Sequence, residues 1–144
     1  MYFLQKEYSK IMTRLDKKVL VVDDLPTVLK QAVEILGARY DVDTAASGTE
    51  AIEKVQSYRP DIVLMDMNMP DKSGITCTEE IHALPDFKLL PIIITVNDMS
   101  VMSNARAYEH GVSDFVKKPF IANSVYRKID MHLKLSEIGW QYEP

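Results

Sequence analysis

Apolar residues fall along this chain in two alternating rhythms. Short unbroken runs (Val19-Leu20-Val21-Val22, Ile62-Val63-Leu64-Met65 and Ile92-Ile93-Ile94) alternate with stretches whose apolar positions recur every three or four residues. Val28, Ala32, Ile35 and Leu36 form one such stretch; Ala51, Ile52 and Val55 form the next. The first rhythm predicts strands covered on both faces, and the second predicts amphipathic helices. The expected strands are 18–22, 40–45, 61–65, 91–96 and 114–117. The expected helices are 26–36, 48–57, 74–84, 98–110 and 121–137. Gly37 and Gly111 stand where helices should end, and Ser47 with Glu50 reads as a capping box. Strand–helix alternation with short links implies an α/β fold with a parallel, doubly wound sheet.

Residues 1–17 sit outside that scheme. Leu4, Tyr8, Ile11, Met12 and Leu15 recur at helical spacing among charged residues, which predicts an amphipathic N-terminal extension. A leader without structure is the equal alternative. The last helix runs on through Ile138, and residues 139–144 read as a tail or the start of a linker.

Composition narrows the function classes only a little. The 144 residues suffice for one domain with a full core. A net charge of -4 and a pI near 5.4 argue against non-specific binding to nucleic acid or anionic lipid. The lone Cys77 excludes an intrachain disulfide and fits a reducing compartment. No apolar stretch reaches spanning length and the N-terminus lacks a signal-peptide core, so a cytoplasmic location is expected.

The chemistry gathers at strand ends. Asp66 closes one apolar run and is followed by the break at Met69-Pro70; Asp23 and Asp24 close another. In a parallel sheet both ends lie on one edge, where ligands of open α/β sheets bind. Three carboxylates there repel one another, and a small hard cation such as Mg²⁺ relieves them. Taken alone, Asp23 and Asp24 read equally well as caps of the next helix. Thr95 ends the fourth strand and Lys118-Pro119 follows the fifth. Alone, Thr95 is a structural threonine, Phe115 a core aromatic and Lys117 a solvated lysine. The coincidence of Asp-Asp, Asp, Thr and Lys-Pro on one edge is what carries weight. A carboxylate nucleophile, a metal, a hydroxyl and a cation are the parts of phosphoryl transfer.

The motifs Val21-Val22-Asp23-Asp24, Met65-Asp66-Met67-Asn68-Met69-Pro70, Ile93-Ile94-Thr95 and Phe115-Val116-Lys117-Lys118-Pro119-Phe120 resemble those of response regulator receiver domains. These are the phosphoacceptor modules of two-component signalling, and the resemblance spans about residues 17–138, with 18–138 taken as the domain. It implies a flavodoxin-like five-stranded sheet in the order 2-1-3-4-5 with five helices. It also implies that Asp66 accepts a phosphoryl group from the phosphohistidine of a sensor histidine kinase or phosphotransfer protein. Asp24, Asp66 and the backbone carbonyl of Asn68 would hold Mg²⁺, with Asp23 acting largely through a bound water. Thr95 and Lys118 would bind phosphoryl oxygens, and Phe115 would turn inward once Thr95 is recruited. The Lys118–Pro119 bond is expected to be cis. The readout would be a changed face on the fourth helix, fifth strand and fifth helix, through which a homodimer could form. The domain would be no enzyme in its own right and would make no direct contact with nucleic acid or membrane.

The chain departs from that family at Val96, where a small residue is usual, so a narrowed approach and slow phosphorylation are expected. Ser73-Gly74 replaces the common Asp-Gly with little expected consequence. Three other functions compete. A haloacid-dehalogenase-like phosphatase needs a second acid two residues after its nucleophile, where this chain has Asn68. A mononucleotide binder needs a phosphate-cradling loop where Asp23-Asp24-Leu25-Pro26 stands. A structural interaction module leaves the clustered carboxylates without purpose. The sequence ending fits a receiver that runs on into a further domain.

Overall fold

The computed structural model of the protein describes residues 14–99 and 106–139. Five strands, β1 (Arg14–Val22), β2 (Tyr40–Ala45), β3 (Ile62–Asp66), β4 (Ile92–Val96) and β5 (Asp114–Lys117), alternate with helices. The helices are α1 (Pro26–Leu36), α2 (Gly48–Tyr58), α3 (Gly74–His82), α4 (Arg106–Glu109) and α5 (Ala122–Glu137). The strands pair in parallel in the order β2-β1-β3-β4-β5. The predicted architecture is therefore the observed one.

The continuous apolar runs are explained by the two cores they serve. Successive side chains on a strand point to opposite faces. Leu20, Val22, Val63, Met65, Ile92 and Ile94 pack with Ala51, Val55, Cys77 and Ile81 of α2 and α3. The intervening Val19, Val21, Ile62, Leu64 and Ile93 pack with Ala32 and Leu36 of α1 and Val125, Ile129 and Leu133 of α5. With both faces covered, these apolar runs tolerate no polar position, and Asp23 and Asp66 stand where two of the runs end.

Local signals act as expected with two refinements. Ser47 Oγ accepts from the Glu50 amide at 3.1 Å. Glu50 reaches back at 2.9 Å to the Ala46 amide, one residue before the cap. Gly37 closes α1 in ordinary right-handed geometry, whereas α2 ends on Arg59 at φ 53, a left-handed cap made without glycine.

Two expectations need correction. Residues 14–17 do not continue a helix: they extend β1, Arg14 pairs with Tyr40, and the register shifts between Arg14 and Lys18. Leu15, expected on an apolar helix stripe, is 58% exposed. Backbone pairing to β2 outweighs the helical spacing of a few side chains there. Residues 1–13 lie outside the described residues. The helix expected from residue 98 is not formed at Asp98; its described portion is Arg106–Glu109, and residues 100–105 lie outside the description.

Candidate functional site

The sheet brings the predicted strand-end residues to one edge. Asp66 is the last residue of β3, a strand buried throughout, and it stands in register with Thr95 on β4. The Met67 amide donates to the Thr95 carbonyl at 3.1 Å, carrying the pairing one step past the carboxylate. Asp23 follows β1, with its amide donating to the Ala45 carbonyl at 3.1 Å. Lys118 follows β5, its amide donates to the Val96 carbonyl at 2.8 Å, and the Lys118–Pro119 bond is cis.

Asp23, Asp24 and Asp66 each offer an oxygen, and these oxygens all lie within 4.8 Å of one another. The helix-cap reading of the pair does not hold. The N-cap of α1 is Leu25, which makes no side-chain cap, and Pro26 opens the helix. Asp23 instead accepts from the Leu25 amide through Oδ1 at 2.9 Å, which fixes the loop and leaves Oδ2 facing the site. That oxygen accepts from Lys118 Nζ at 3.0 Å, and the same ammonium donates to Asp66 Oδ1 at 3.0 Å.

This is a buried, crowded set of charges. Asp23, Asp66, Thr95 and Lys118 are all buried. Burial raises the Asp66 carboxyl above its ordinary range; the Asp23 charge adds to this, and the Lys118 hydrogen bond opposes it. Burial works against the Lys118 charge as well, but hydrogen bonds to Asp23 and Asp66 outweigh it and hold its pKa above the ordinary lysine value. One ammonium against three carboxylates leaves the site net negative. Closely set oxygens with excess negative charge are a donor set for a hard divalent cation, so the residues fit the Mg²⁺ expected of them.

The turn after Asp66 is equally determined. Gly74 N donates to the Met67 carbonyl at 2.7 Å, and Asn68 and Ser73 form an isolated antiparallel bridge. The bridging bond thus uses the Met67 carbonyl rather than that of Asn68. Ser73 caps α3 by accepting from the Thr76 amide at 3.1 Å, so serine here supplies the local cap.

Behind the site, Phe115 is fully buried and meets Tyr108 edge-on, with ring centroids 5.6 Å apart. The inward turn expected of Phe115 therefore has no outward starting point in this structure. The ring already fills the core formed with Ile94, Val96 and Ala107, as burial of so large an apolar group favours. Val96 is 3% exposed and belongs to that same core. Lys117 is exposed, as its strand parity implied.

Two groups of residues were not anticipated. His132 of α5 contacts Asp114 Oδ2 through Nε2 at 2.9 Å. Lys128, one turn earlier, donates to Asp114 Oδ1 at 3.3 Å and to the Phe115 carbonyl. Asp71 accepts from the amides of Gly48 and Thr49 at 3.1 and 2.9 Å and from the Thr49 hydroxyl at 3.0 Å. The i, i+4 spacing of Lys128 and His132 could have suggested a shared face. No spacing rule joins residue 71 to residues 48 and 49.

Among known families, residues 19–130 match the response regulator receiver domain. The alkaline phosphatase synthesis transcriptional regulatory protein PhoP of Bacillus subtilis is 31% identical over 128 residues, covering 87% of this chain and 52% of its own length. The hybrid signal transduction histidine kinase D of Dictyostelium discoideum is 30% identical over 127 residues, covering 87% of this chain and 8% of its own. The chain thus spans about half or less of the length of these curated relatives. Among solved structures, the chemotaxis response regulator CheY4 of Vibrio cholerae matches with a TM-score of 0.75 at 28% identity, covering 81% of this chain and 98% of that one. A CheY-like receiver domain protein from Methanospirillum hungatei matches with a TM-score of 0.76 at 25% identity, covering 85% and 97%.

Proposed function

Because this chain belongs to the response regulator receiver family and is a receiver domain of two-component signalling, we propose that Asp66 is its phosphoacceptor. The observation that carries the reading is Lys118 Nζ bonded at 3.0 Å to both Asp66 and Asp23 within a cluster of three acids. In the transfer, the phosphorus–nitrogen bond of a partner's phosphohistidine breaks as a phosphorus–oxygen bond to an Asp66 carboxylate oxygen forms. The imidazole leaves with the electron pair of the broken bond. Lys118 opposes the rise that burial imposes on the Asp66 carboxyl and then donates to a phosphoryl oxygen, and the Thr95 hydroxyl donates to another. Asp24, Asp66 and the Asn68 carbonyl would hold Mg²⁺, with Asp23 reaching it through water; when bound it neutralises charge on the transferring group.

The switch follows from partners gained in one state only. A phosphoryl group adds acceptor oxygens and negative charge, so the loops carrying Thr95 and Lys118 are drawn toward Asp66. Phe115 and Tyr108 back the Thr95 strand, and the change passes to α4, β5 and α5. A concave region of about 250 Å³ on that face, lined by Met99, Val116, Lys117, Pro119, Ile121 and Lys128 among others, gives an output domain, a partner or a second copy something to grip. The phosphoryl donor is a sensor histidine kinase or a phosphotransfer protein. The domain is a phosphoacceptor rather than an enzyme acting on separate substrates, and it works in the cytoplasm. Among the described residues no helix is long and apolar enough to cross a membrane.

Beryllofluoride, an unreactive analogue of the phosphoryl group, tests the reading. Chemical shifts or fluorescence of the wild type should change with beryllofluoride and Mg²⁺ together, and the change should vanish in Asp66→Asn. Equal responses from the two proteins would sink it.

A further inference from the structure

The loop that would offer the Asn68 carbonyl to a cation is tied to a helix distant in sequence. Asp71 spends both carboxylate oxygens on the first turn of α2: Oδ1 accepts from Gly48 N, and Oδ2 accepts from Thr49 N and Oγ1. Those contacts hold its pKa at about 2: burial pushes the other way, and the amides of Thr49 and Gly48 outweigh it. The neighbouring Lys72 lays its stem across Gly48 so closely that a Cβ there would stand 2.4 Å from Lys72 Cγ. Lys72 Nζ then reaches Glu80 of α3 at 2.7 Å.

α2 does not need Asp71 for its local cap. Ser47 already serves the Glu50 amide through its hydroxyl and the Ala51 amide through its carbonyl. Gly48 and Thr49 carry two further amides that a helix start leaves without an intrahelical partner, and Asp71 takes both from 23 and 22 residues away. The same residue lies three positions after Asn68, inside the turn closed by the Asn68–Ser73 bridge. On one side the turn is anchored by the Met67 amide on Thr95, on the other by the Gly74 amide on Met67. Asp71 supplies the third anchor at the tip.

We propose that Asp71 is a positioning residue for the cation: by strapping the β3–α3 loop to the start of α2 it fixes the Asn68 carbonyl toward Asp24 and Asp66. The proposal rests on the receiver reading of this site. Groups that orient metal ligands without touching the metal typically control affinity by ~10-fold or more.

The test titrates the protein with Mg²⁺ alone, followed by NMR chemical shifts, and also follows phosphorylation by acetyl phosphate as a function of Mg²⁺ concentration, in wild type, Asp71→Ala and Thr49→Val. In Asp71→Ala the half-saturating Mg²⁺ should rise about 10-fold, with the rate recovering at saturating Mg²⁺. Thr49→Val removes one of the three donors to Asp71 and leaves its carboxylate in place. It should give a smaller rise in the same direction, and it serves if Asp71→Ala does not fold. A loss of thermal stability with unchanged half-saturating Mg²⁺ in both variants would make Asp71 a helix cap only and overturn the proposal. If the wild type takes no phosphoryl group at any Mg²⁺ concentration, the receiver reading fails first, and the proposal with it.

Discussion

The carbonyl oxygen of Asp66 lies 2.4 Å from the place a Cβ on Gly74 would occupy. The chain therefore doubles back against the very residue that would be phosphorylated, and only glycine allows it. Ile94 Cδ1, at 3.1 Å from the same point, closes the other side. Gly74→Ala should cost about 1–3 kcal/mol through the forced backbone shift and slow phosphorylation as Asp66 is displaced. Chemical denaturation alongside acetyl phosphate kinetics would check this. A variant with unchanged midpoint and unchanged rate would mean the loop yields without disturbing Asp66.

Lys118 bridges Asp23 and Asp66 with one ammonium. Lys118→Met keeps most of the stem and leaves facing carboxylates without that cation. Phosphorylation should fall on the order of 10²-fold, as for loss of a single donor aimed at developing charge. The variant should also lose thermal stability, and millimolar Mg²⁺ should restore more of it than it adds to the wild type. Equal Mg²⁺ effects on the two melting temperatures would show that Lys118 and the cation do not act on the same carboxylates.

Val96 is buried in the same core as Phe115. Val96→Ala should lose about 1–3 kcal/mol for its buried methyl groups. If its bulk limits the movement of Thr95 and Phe115, phosphorylation by small donors should speed up and the phosphoaspartate should shorten its lifetime. Stopped-flow and decay measurements on the variant decide the matter; two unchanged rates would remove Val96 from any account of speed.

Asp114 gives the pH dependence its sign. Burial raises its carboxyl, but His132, the Phe115 amide and Lys128 outweigh it, and its folded pKa lies below the ordinary 3.8. A depressed carboxylate stabilises the fold above its unfolded pKa and loses that contribution as pH falls through the folded value. The carboxylate's contribution to the melting-temperature gap between wild type and Asp114→Asn should thus be lost as pH falls below about 4. A gap independent of pH down to acid unfolding would show that the carboxylate charge is not what joins β5 to α5.

The sheet order and the site edge were legible in sequence for one physical reason. The apolar runs covered on both faces admit no charge until they end, so the polar residues at their downstream ends, Asp23, Asp66 and Thr95, mark their own positions, and Lys118 follows β5 on the same edge. Arg14–Lys17 were misread because a few apolar residues at helical spacing say nothing about a neighbouring strand that can extend the pairing. Phe115, read alone as a core aromatic, is buried as that reading expects; the outward start that an inward turn requires came from the resemblance and is not the state of this structure. Asp71 and the Asp114–His132 contact escaped because each joins residues far apart in sequence through geometry that only the folded chain creates.

The central claim is that Asp66 takes the phosphoryl group. After incubation with acetyl phosphate and Mg²⁺, borohydride reduction converts an aspartyl phosphate to homoserine, which peptide mass spectrometry locates. The account predicts homoserine at position 66 and none in a sample lacking Mg²⁺. Homoserine at position 23 or 24, or none anywhere in the chain, would contradict it.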